Sequence, residues 1–134
     1  MKRWLIFLIV FVLFGPIFSG AQEIKDGLNK ITLPDGSVYE GEFSKGKFDG
    51  KGQIDYADQR QYIGEFKNGL YDGQGVLLYT DGSKYEGQFK KGLLNGQGVI
   101  TYADGDTYKG QFKDGEISGQ GVLTNFDGTA HRFD

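Results

Sequence analysis

Apolar and polar residues alternate along most of the chain, and the alternation recurs every 23 residues. In one unit Tyr85, Gly87 and Phe89 share one face of the pattern and the intervening polar residues share the other. An alternation with period two predicts a strand with one buried face. A glycine-rich connection at 91–96 and a second extended stretch at 97–102 complete the unit. Each unit is therefore predicted to be one β-hairpin.

The same slots recur in four consecutive units, 39–61, 62–84, 85–107 and 108–130. The recurring residues are Tyr39, Tyr62, Tyr85 and Tyr108; Gly41, Gly64, Gly87 and Gly110; Phe43, Phe66, Phe89 and Phe112; and Gly52, Gly75, Gly98 and Gly121. Such self-similarity is typical of stacked arrays in which one unit cannot bury its apolar face alone. We expect the glycines and phenylalanines to be structural, because a strand position without a side chain leaves a trough in which aromatic rings lie flat.

Aspartate-glycine pairs recur along the array. They occur at Asp35-Gly36, Asp81-Gly82, Asp104-Gly105 and Asp127-Gly128. Glycine accepts a positive φ, so these pairs predict tight turns between strands. The unit 39–61 has Asp58-Gln59 instead, which predicts a longer or strained turn there. The expected fold is all-β: one elongated antiparallel sheet of nine or ten strands, with a helix only in the N-terminal apolar segment.

Both ends of the array depart from the repeat. Residues 22–38 form a short lead-in and a half repeat, in which 27–33 is predicted to be the second strand of an incomplete hairpin. Residues 131–134 form a truncated C-terminal cap, with His131 in the tyrosine slot and Phe133 in the glycine slot. Decay of this kind is typical of a terminal capping repeat.

The first 21 residues are predicted to be a signal peptide. A short basic start is followed by the apolar run Trp4 to Phe14, by the breaker Gly15-Pro16 and by small residues up to Ala21. The apolar run is shorter than the roughly 20 residues of a comfortable membrane span. The alternative is an uncleaved anchor over residues 4–18. In either case we expect the repeats on the far side of a membrane, periplasmic or secreted.

Composition narrows the classes of function. The chain has no cysteine, which excludes a disulfide framework and a thiolate metal site. Its formal charge is −3, and without residues 1–21 it has 13 basic and 18 acidic residues, a charge near −5. That balance argues against nucleic acid as a partner, since such binding depends on basic residues that neutralise phosphates.

The pattern Tyr-x-Gly-x-Phe-x-x-Gly-x-x-x-Gly-x-Gly, present at 62–75 and again at 85–98, resembles the MORN repeat (membrane occupation and recognition nexus). The resemblance covers about residues 27–130. It implies a chain of β-hairpins in an open, grooved sheet, with roles in membrane tethering, phospholipid contact and protein scaffolding. Lipid kinases carry such repeats as an accessory region, and no kinase domain accompanies them here.

No catalytic, cofactor-binding or metal-binding residue is predicted. His131 is the only histidine, and no Gly-x-Ser-x-Gly elbow offers a nucleophile. Glu40 and Glu42 are two apart like an acid/base pair, but their slots hold residues such as isoleucine and lysine in other units, which indicates a solvated face. The Gly-x-Gly pairs precede strands rather than the helix that a phosphate loop needs. Asp104 to Asp106 lacks the remainder of a calcium loop.

The candidate binding surface consists of aromatic and apolar residues. The tyrosine row is expected either to pack within a rolled sheet or to remain open as a groove, while apolar residues at loop positions either pack on the next hairpin or insert into a partner. The candidates are Tyr39, Tyr62, Tyr85, Tyr108, Phe48, Tyr71 and Leu94.

These observations predict a non-enzymatic, exported scaffold that contacts another protein through its β surface. The open sheet edges at 27–33 and 129–134 also permit strand pairing with a second copy of the chain, which would form a homodimer. One alternative is a membrane-associated module that contacts phospholipid; another is a glycan-binding module that uses the aromatic rows. A protein partner is favoured over lipid, because the chain is acidic and has no basic cluster in its sequence.

Overall fold

The computed structural model describes residues 24–134, which form one sheet of ten antiparallel strands. The strands are β1 (Gly27–Thr32), β2 (Val38–Ser44), β3 (Lys47–Asp55), β4 (Gln61–Lys67), β5 (Leu70–Leu78), β6 (Lys84–Lys90), β7 (Leu93–Thr101), β8 (Thr107–Lys113), β9 (Glu116–Thr124) and β10 (Ala130–Phe133). Their order in the sheet is their order in the chain, so every strand pairs only with its sequence neighbours. The single antiparallel sheet is thereby confirmed. The predicted signal peptide and the predicted N-terminal helix fall outside the described residues.

Two-residue turns close the hairpins within each unit. They are Lys45-Gly46, Asn68-Gly69, Lys91-Gly92 and Asp114-Gly115, and all eight residues have positive φ. Positive φ at both positions is the type I′ geometry, whose twist matches that of paired strands. The predicted six-residue connection at 91–96 is therefore wrong. Leu93 already starts β7, and the positive φ of Gly96 belongs to an irregularity within the strand rather than to a loop.

Longer turns join one unit to the next, and these contain the aspartate-glycine pairs. In the first, the N–H of Gly36 donates to the carbonyl of Leu33 at 2.9 Å and the N–H of Ser37 donates to the Asp35 carboxylate at 2.8 Å. The turn that ends the unit 39–61 keeps the same length, with Gln59 at φ 74° where the other turns between units have glycine. Of the two alternatives for this turn, the strained one is observed.

The hairpin within each unit contains one register shift. It is located between Gly41 and Phe43 in the first unit and at equivalent positions in the next two. In the first unit the shift places three residues, 49–51, opposite the single residue Glu42. An irregularity of this kind increases the local twist of the strands. In the fourth unit the shift moves to Gly110/Gln111. The last unit therefore differs from the others in backbone geometry, as expected of a terminal repeat.

The core lies on one face of the sheet, which we call the inner face. It is a continuous cluster whose members recur with the repeat: Leu33, Tyr39, Phe43, Phe48, Ile54, Tyr56, Tyr62, Phe66, Tyr71, Leu77, Tyr85, Phe89, Tyr108 and Phe112. The opposite, outer face has the polar and charged positions of the alternation. The face pattern predicted from the period of two is confirmed.

Candidate binding surface

The aromatic residues nominated as a binding surface lie in the core. Tyr39, Tyr62 and Tyr85 are completely buried, Phe48 and Tyr71 are almost so, and the same holds for Tyr108. Leu94 is partly buried against the same cluster. Phe48, Tyr71 and Leu94 lie within strands rather than loops, because the hairpin turns are only two residues long. These side chains therefore form the core instead of an accessible surface.

The rings are packed in a repeating arrangement. Tyr62 stacks on Tyr71 with centroids 3.7 Å apart and 9° between the ring planes. Phe66 of the same unit and Phe89 of the next meet Tyr62 edge-on, at 5.0 and 5.2 Å. Tyr39 has the same surroundings, with Phe48 in the stacked position. Tyr39, Tyr62 and Tyr85 are thus each enclosed by rings of their own unit and of the following one. Tyr108 meets Phe112 of its own unit edge-on.

Glycines make this enclosure geometrically feasible. A Cβ on Gly75 would lie 2.5 Å from the hydroxyl of Tyr62, and one on Gly64 would lie 2.5 Å from the Cα of Gly75. The Tyr62 hydroxyl donates to the carbonyl of Glu65 at 2.7 Å. The ring therefore crosses the trough formed by the two glycines and ends in a backbone hydrogen bond.

Burial also governs the chemistry of the tyrosines. It raises the pKa of Tyr85 to about 12, while the hydrogen bond to Gln88 acts in the opposite direction. Burial together with the carboxylates of Glu42 and Glu65 raises the pKa of Tyr39 and Tyr62 well above the usual range. These hydroxyls stay protonated at physiological pH and serve as structural donors.

A glutamate or glutamine braces each of the first three bulges. Glu65 Oε2 accepts the N–H of Gln74 at 2.5 Å, and Gln88 Oε1 accepts the N–H of Gln97 at 2.9 Å. Glu42 does the same for the N–H of Lys51. Glu42 lies on the partly exposed face, as interpreted, but it also has a structural role as a backbone acceptor. Its slot holds only glutamate or glutamine in the four units, the sequence signal for a carbonyl acceptor.

The outer face presents a row of side chains that crosses the whole sheet. Cross-strand pairing places one residue from each strand side by side, in the order Lys30, Glu40, Gln53, Ile63, Val76, Glu86, Val99, Lys109, Val122 and Arg132. The row mixes charges of both signs with β-branched apolar residues. The 23-residue period already aligns Glu40, Ile63, Glu86 and Lys109 on the solvated face. The members of the row on the intervening strands depend on register and were not predicted.

A groove of about 960 Å³ lies over the first five strands on this face. Its floor contains Gly41, Gly52 and Gly64, and its apolar contacts come from Leu28 and Ile63. Both apolar side chains are accessible, with 82% and 46% of their surface exposed. The groove is therefore an open depression with two exposed apolar side chains at its margin.

Charged residues of both signs surround the groove. Lys30 and Lys51 contribute positive charge, and Glu40 and Glu65 contribute negative charge. Lys30 Nζ lies 3.2 Å from Glu40 Oε2 in an exposed pair. An exposed pair of this kind is worth at most about 1 kcal/mol, so a partner's charges can replace it at little cost. The groove can thus contact a ligand that is partly apolar and has charges of both signs.

Lysines gather along the edge formed by the two-residue turns. Stacking of the hairpins brings Lys45, Lys67, Lys90, Lys91 and Lys113 to one side of the sheet, although they are far apart in sequence. The acidic residues Asp26, Asp49 and Asp72 lie just behind the first three turns and accept N–H groups from them at 2.7–3.4 Å. The lysine edge is consequently basic at its rim and partly neutralised behind it.

One inter-unit turn contains a buried cation. Arg60 is 7% exposed, its guanidinium lies 4.4 Å from the centroid of the Tyr56 ring, and its Nε donates to Asp58 at 2.8 Å. The hydroxyls of Tyr56 and Tyr71 are hydrogen-bonded to each other beside it. Arg60 occupies the slot that holds the buried Ser37 in the preceding turn and the buried Ser83 in the following one. Its larger side chain stacks on Tyr56. Sequence reasoning noted the turn but not the cation.

The residues examined for catalysis or metal binding are not assembled into a site. His131 lies in β10, the exposed last strand. Asp104 and Asp106 accept backbone N–H groups, of Asp106 itself and of Phe126, at 3.0 and 2.8 Å. Within residues 24–134 no group of three or more potential ligands is placed to hold a metal ion. The same residues contain no helix long and apolar enough to cross a membrane.

Comparison with protein families gives four consecutive matches to the model described as MORN repeat, at residues 39–59, 62–84, 85–107 and 108–130. No curated protein matches the chain. Among solved structures, one similar to this chain is the TCP domain of SAS-4 (dCPAP) in complex with a proline-rich motif of Ana2 (dSTIL) of Drosophila melanogaster. It is 14% identical, the alignment covers 87% of this chain and 90% of that one, and the TM-score is 0.26. A TM-score this low supports no conclusion about fold or partner.

Proposed function

The chain belongs to the MORN-repeat family, and on that premise we propose that it is a non-enzymatic, exported binding module that holds a protein partner in its outer-face groove. The observation that carries the proposal is the groove itself, about 960 Å³ over β1 to β5. Its mixture of apolar and charged residues suits a polypeptide segment.

The chemistry of the partner follows from the residues around the groove. Leu28 and Ile63 offer apolar contact, and Lys30, Lys51 and Glu65 offer charges of both signs. The partner segment has apolar side chains flanked by both an acidic and a basic residue.

The glycan-binding alternative loses its basis. It depended on aromatic rows that a sugar ring could stack on, and Tyr39, Tyr62 and Tyr85 are completely buried. Of the exposed residues, Tyr102 and Phe126 lie in inter-unit turns, apart from each other by one unit. They do not form a row on which successive sugars could stack.

The lysine edge supports a second function, contact with an anionic membrane surface. Lys45, Lys67 and Lys90 with their neighbours form a line along the turns, and basic residues near a membrane contribute about 1 kcal/mol each. The carboxylates behind the turns and the overall acidic charge oppose it. A protein partner therefore remains the preferred function. Export rests on the sequence of residues 1–21, which lie outside the described part.

A photo-crosslinking side chain at position 63, inside the groove, tests the proposal against the same group at Lys109. Both positions are exposed members of the outer row, but only Ile63 lines the groove. A protein crosslinked from 63 and not from 109 is then purified and its affinity measured. Ile63→Glu should weaken binding about tenfold or more, and Lys109→Glu should not. Equal effects at both positions contradict the groove.

Flotation on neutral and anionic vesicles over a salt series tests the second function. Contact through the lysine edge predicts flotation with anionic vesicles only, release by salt, and loss of flotation on Lys45→Glu combined with Lys90→Glu. Absence of flotation at every salt concentration would exclude it. Persistence in the double variant would exclude the lysine edge as its cause.

A further inference from the structure

The two edge strands differ from every interior strand at the same slot. Interior strands have glycine where the tyrosine ring crosses the trough, as at Gly64 and Gly75. In β1 that slot holds Asn29, which pairs with Gly41. In β10 it holds Phe133, which pairs with Gly121. Both ends of the sheet thus place a side chain where the repeat elsewhere permits none.

The repeat also fixes how a second copy would have to add. β10 corresponds to the first strand of a unit and β1 to the second strand, so β1 of another copy is the natural continuation beside β10. The register of β2 with β3 then dictates the contacts. His131 would face Ile31 of the second copy, Arg132 would face its Lys30, and Phe133 would face its Asn29.

Two of these contacts are unfavourable, and the third lacks the ring that stabilises the interior units. Phe133 would occupy the slot in which a Cβ on Gly41 or Gly64 lies 2.4–2.5 Å from the facing Cα, and Asn29 would add a second side chain directly opposite it. Arg132 and Lys30 would set two cations directly opposite each other, a destabilising cross-strand pair. His131 would replace the tyrosine whose ring fills the trough in every other unit.

We infer that β1 and β10 are closing strands, built to refuse the head-to-tail addition of a second copy. Without them the array would have complementary, unequal edges, and such heterologous contacts produce open-ended filaments. Natural sheets protect their edges with charges and misfitting side chains for the same reason. Here the protection is specific to copies of the same repeat, since it uses the repeat's own glycine slot.

Asn29 is held in its closing position by the backbone preceding β1. Its Nδ2 donates to the carbonyl of Lys25 at 2.8 Å and more weakly to that of Gly27 at 3.3 Å. Phe133 is 47% exposed and has no strand beside it among the described residues. The two closing side chains therefore occupy the slot without completing a core of their own.

Four forms of the full chain, dispersed in a mild uncharged detergent, test the inference by sedimentation. They are the wild type; an N-edge variant, Asn29→Gly; a C-edge variant, His131→Tyr with Arg132→Glu and Phe133→Gly; and the combination of both. Only the combined variant should assemble into chains of several copies, so that its average mass rises about twofold or more with concentration. The two single-edge variants mixed together should stop at a pair, because each retains one closed edge.

Circular dichroism verifies that every form is folded, and a C-edge variant that does not fold is replaced by Phe133→Gly alone. Wild-type protein that grows into chains larger than a dimer overturns the inference. So does a folded mixture of single-edge variants that shows no pairing. Neither result bears on the groove, because the groove test uses Ile63 and leaves both edges unchanged.

Discussion

The ring of Tyr62 lies flat on that of Tyr71, 3.7 Å away, and its hydroxyl reaches the carbonyl of Glu65 across two glycines. Tyr62 therefore contacts three features of its unit: the aromatic stack, the glycine trough and the bulge. Since equivalent contacts recur in the first unit, with Tyr39 on Phe48, the array is stabilised by repetition of a single local arrangement.

Gly75→Ala should destabilise the sheet. The added Cβ would meet the hydroxyl of Tyr62 at 2.5 Å, so the ring has to leave the trough. We expect the free energy of unfolding to fall by about 2–3 kcal/mol, as in other overpacked cores. Urea denaturation measures it, with Lys109→Ala on the outer face as the control. A loss no larger than that of the control would show that the trough is not required.

Glu65→Ala should cost about 1–2 kcal/mol, because the N–H of Gln74 at the bulge loses its acceptor. Glu65→Gln should be nearly neutral, since Gln88 performs the same role in the next unit. The matched control is Glu86→Ala, an exposed glutamate whose contact with Lys84 is a surface pair at 3.7 Å. Equal losses for Glu65→Ala and Glu86→Ala would exclude the brace.

Gln59→Gly should stabilise the protein by about 0.5–1 kcal/mol. Gln59 has φ 74°, in the left-handed region, which costs a residue with a side chain about 1–2 kcal/mol. Part of the gain is lost to the greater freedom of glycine in the unfolded chain. Thermal unfolding should show a higher Tm. The reverse exchange, Gly82→Gln in the next unit, should lower it.

Stability should fall steeply in alkali. Burial raises the folded-state pKa of Tyr85 to about 12, and that of Tyr39 and Tyr62 further, while in the unfolded chain tyrosines ionise near 10. The folded state then holds more protons than the unfolded state, so stability is complete below about pH 10 and declines above it. Each tyrosine contributes about 1.4 kcal/mol per pH unit within that window.

Tyrosinate absorbance and circular dichroism, followed together as the pH rises, check this linkage. The absorbance of the buried tyrosines should appear together with the loss of β structure, in one cooperative step. Ionisation of all tyrosines while the sheet remains intact would contradict it.

The sequence was sufficient for the inner face and insufficient for the outer one. Tyr62, Gly64 and Gly75 recur at fixed spacing, and alternation assigns them to one face without any knowledge of pairing. Strand boundaries were less accurate: Gly73 has φ 100° within β5, and a glycine that interrupts the alternation looks like a loop. The interruption is a bulge, which the period of two cannot represent.

The candidate site depended on register, which the sequence does not display. Ile63 and Val76 lie in one row because each strand pairs with its neighbours at a particular offset, which the bulges set. Without that offset, an exposed isoleucine is only an isolated apolar residue. The aromatic rows were predicted as a possible binding surface because large rings recur at fixed spacing in the sequence. Their burial depends on how closely successive hairpins approach each other, which the sequence does not display.

The sequential strand order determines how the sheet responds to force. The two ends of the described chain lie on strands at opposite edges, β1 and β10, so tension between them acts along the interstrand hydrogen bonds. Bonds loaded in this direction break one after another instead of sharing the load. A stretched molecule should therefore peel apart hairpin by hairpin, releasing 23 residues per unit at low and nearly uniform force. Between two attachment points, such an array would act as an extensible link that lengthens in equal steps.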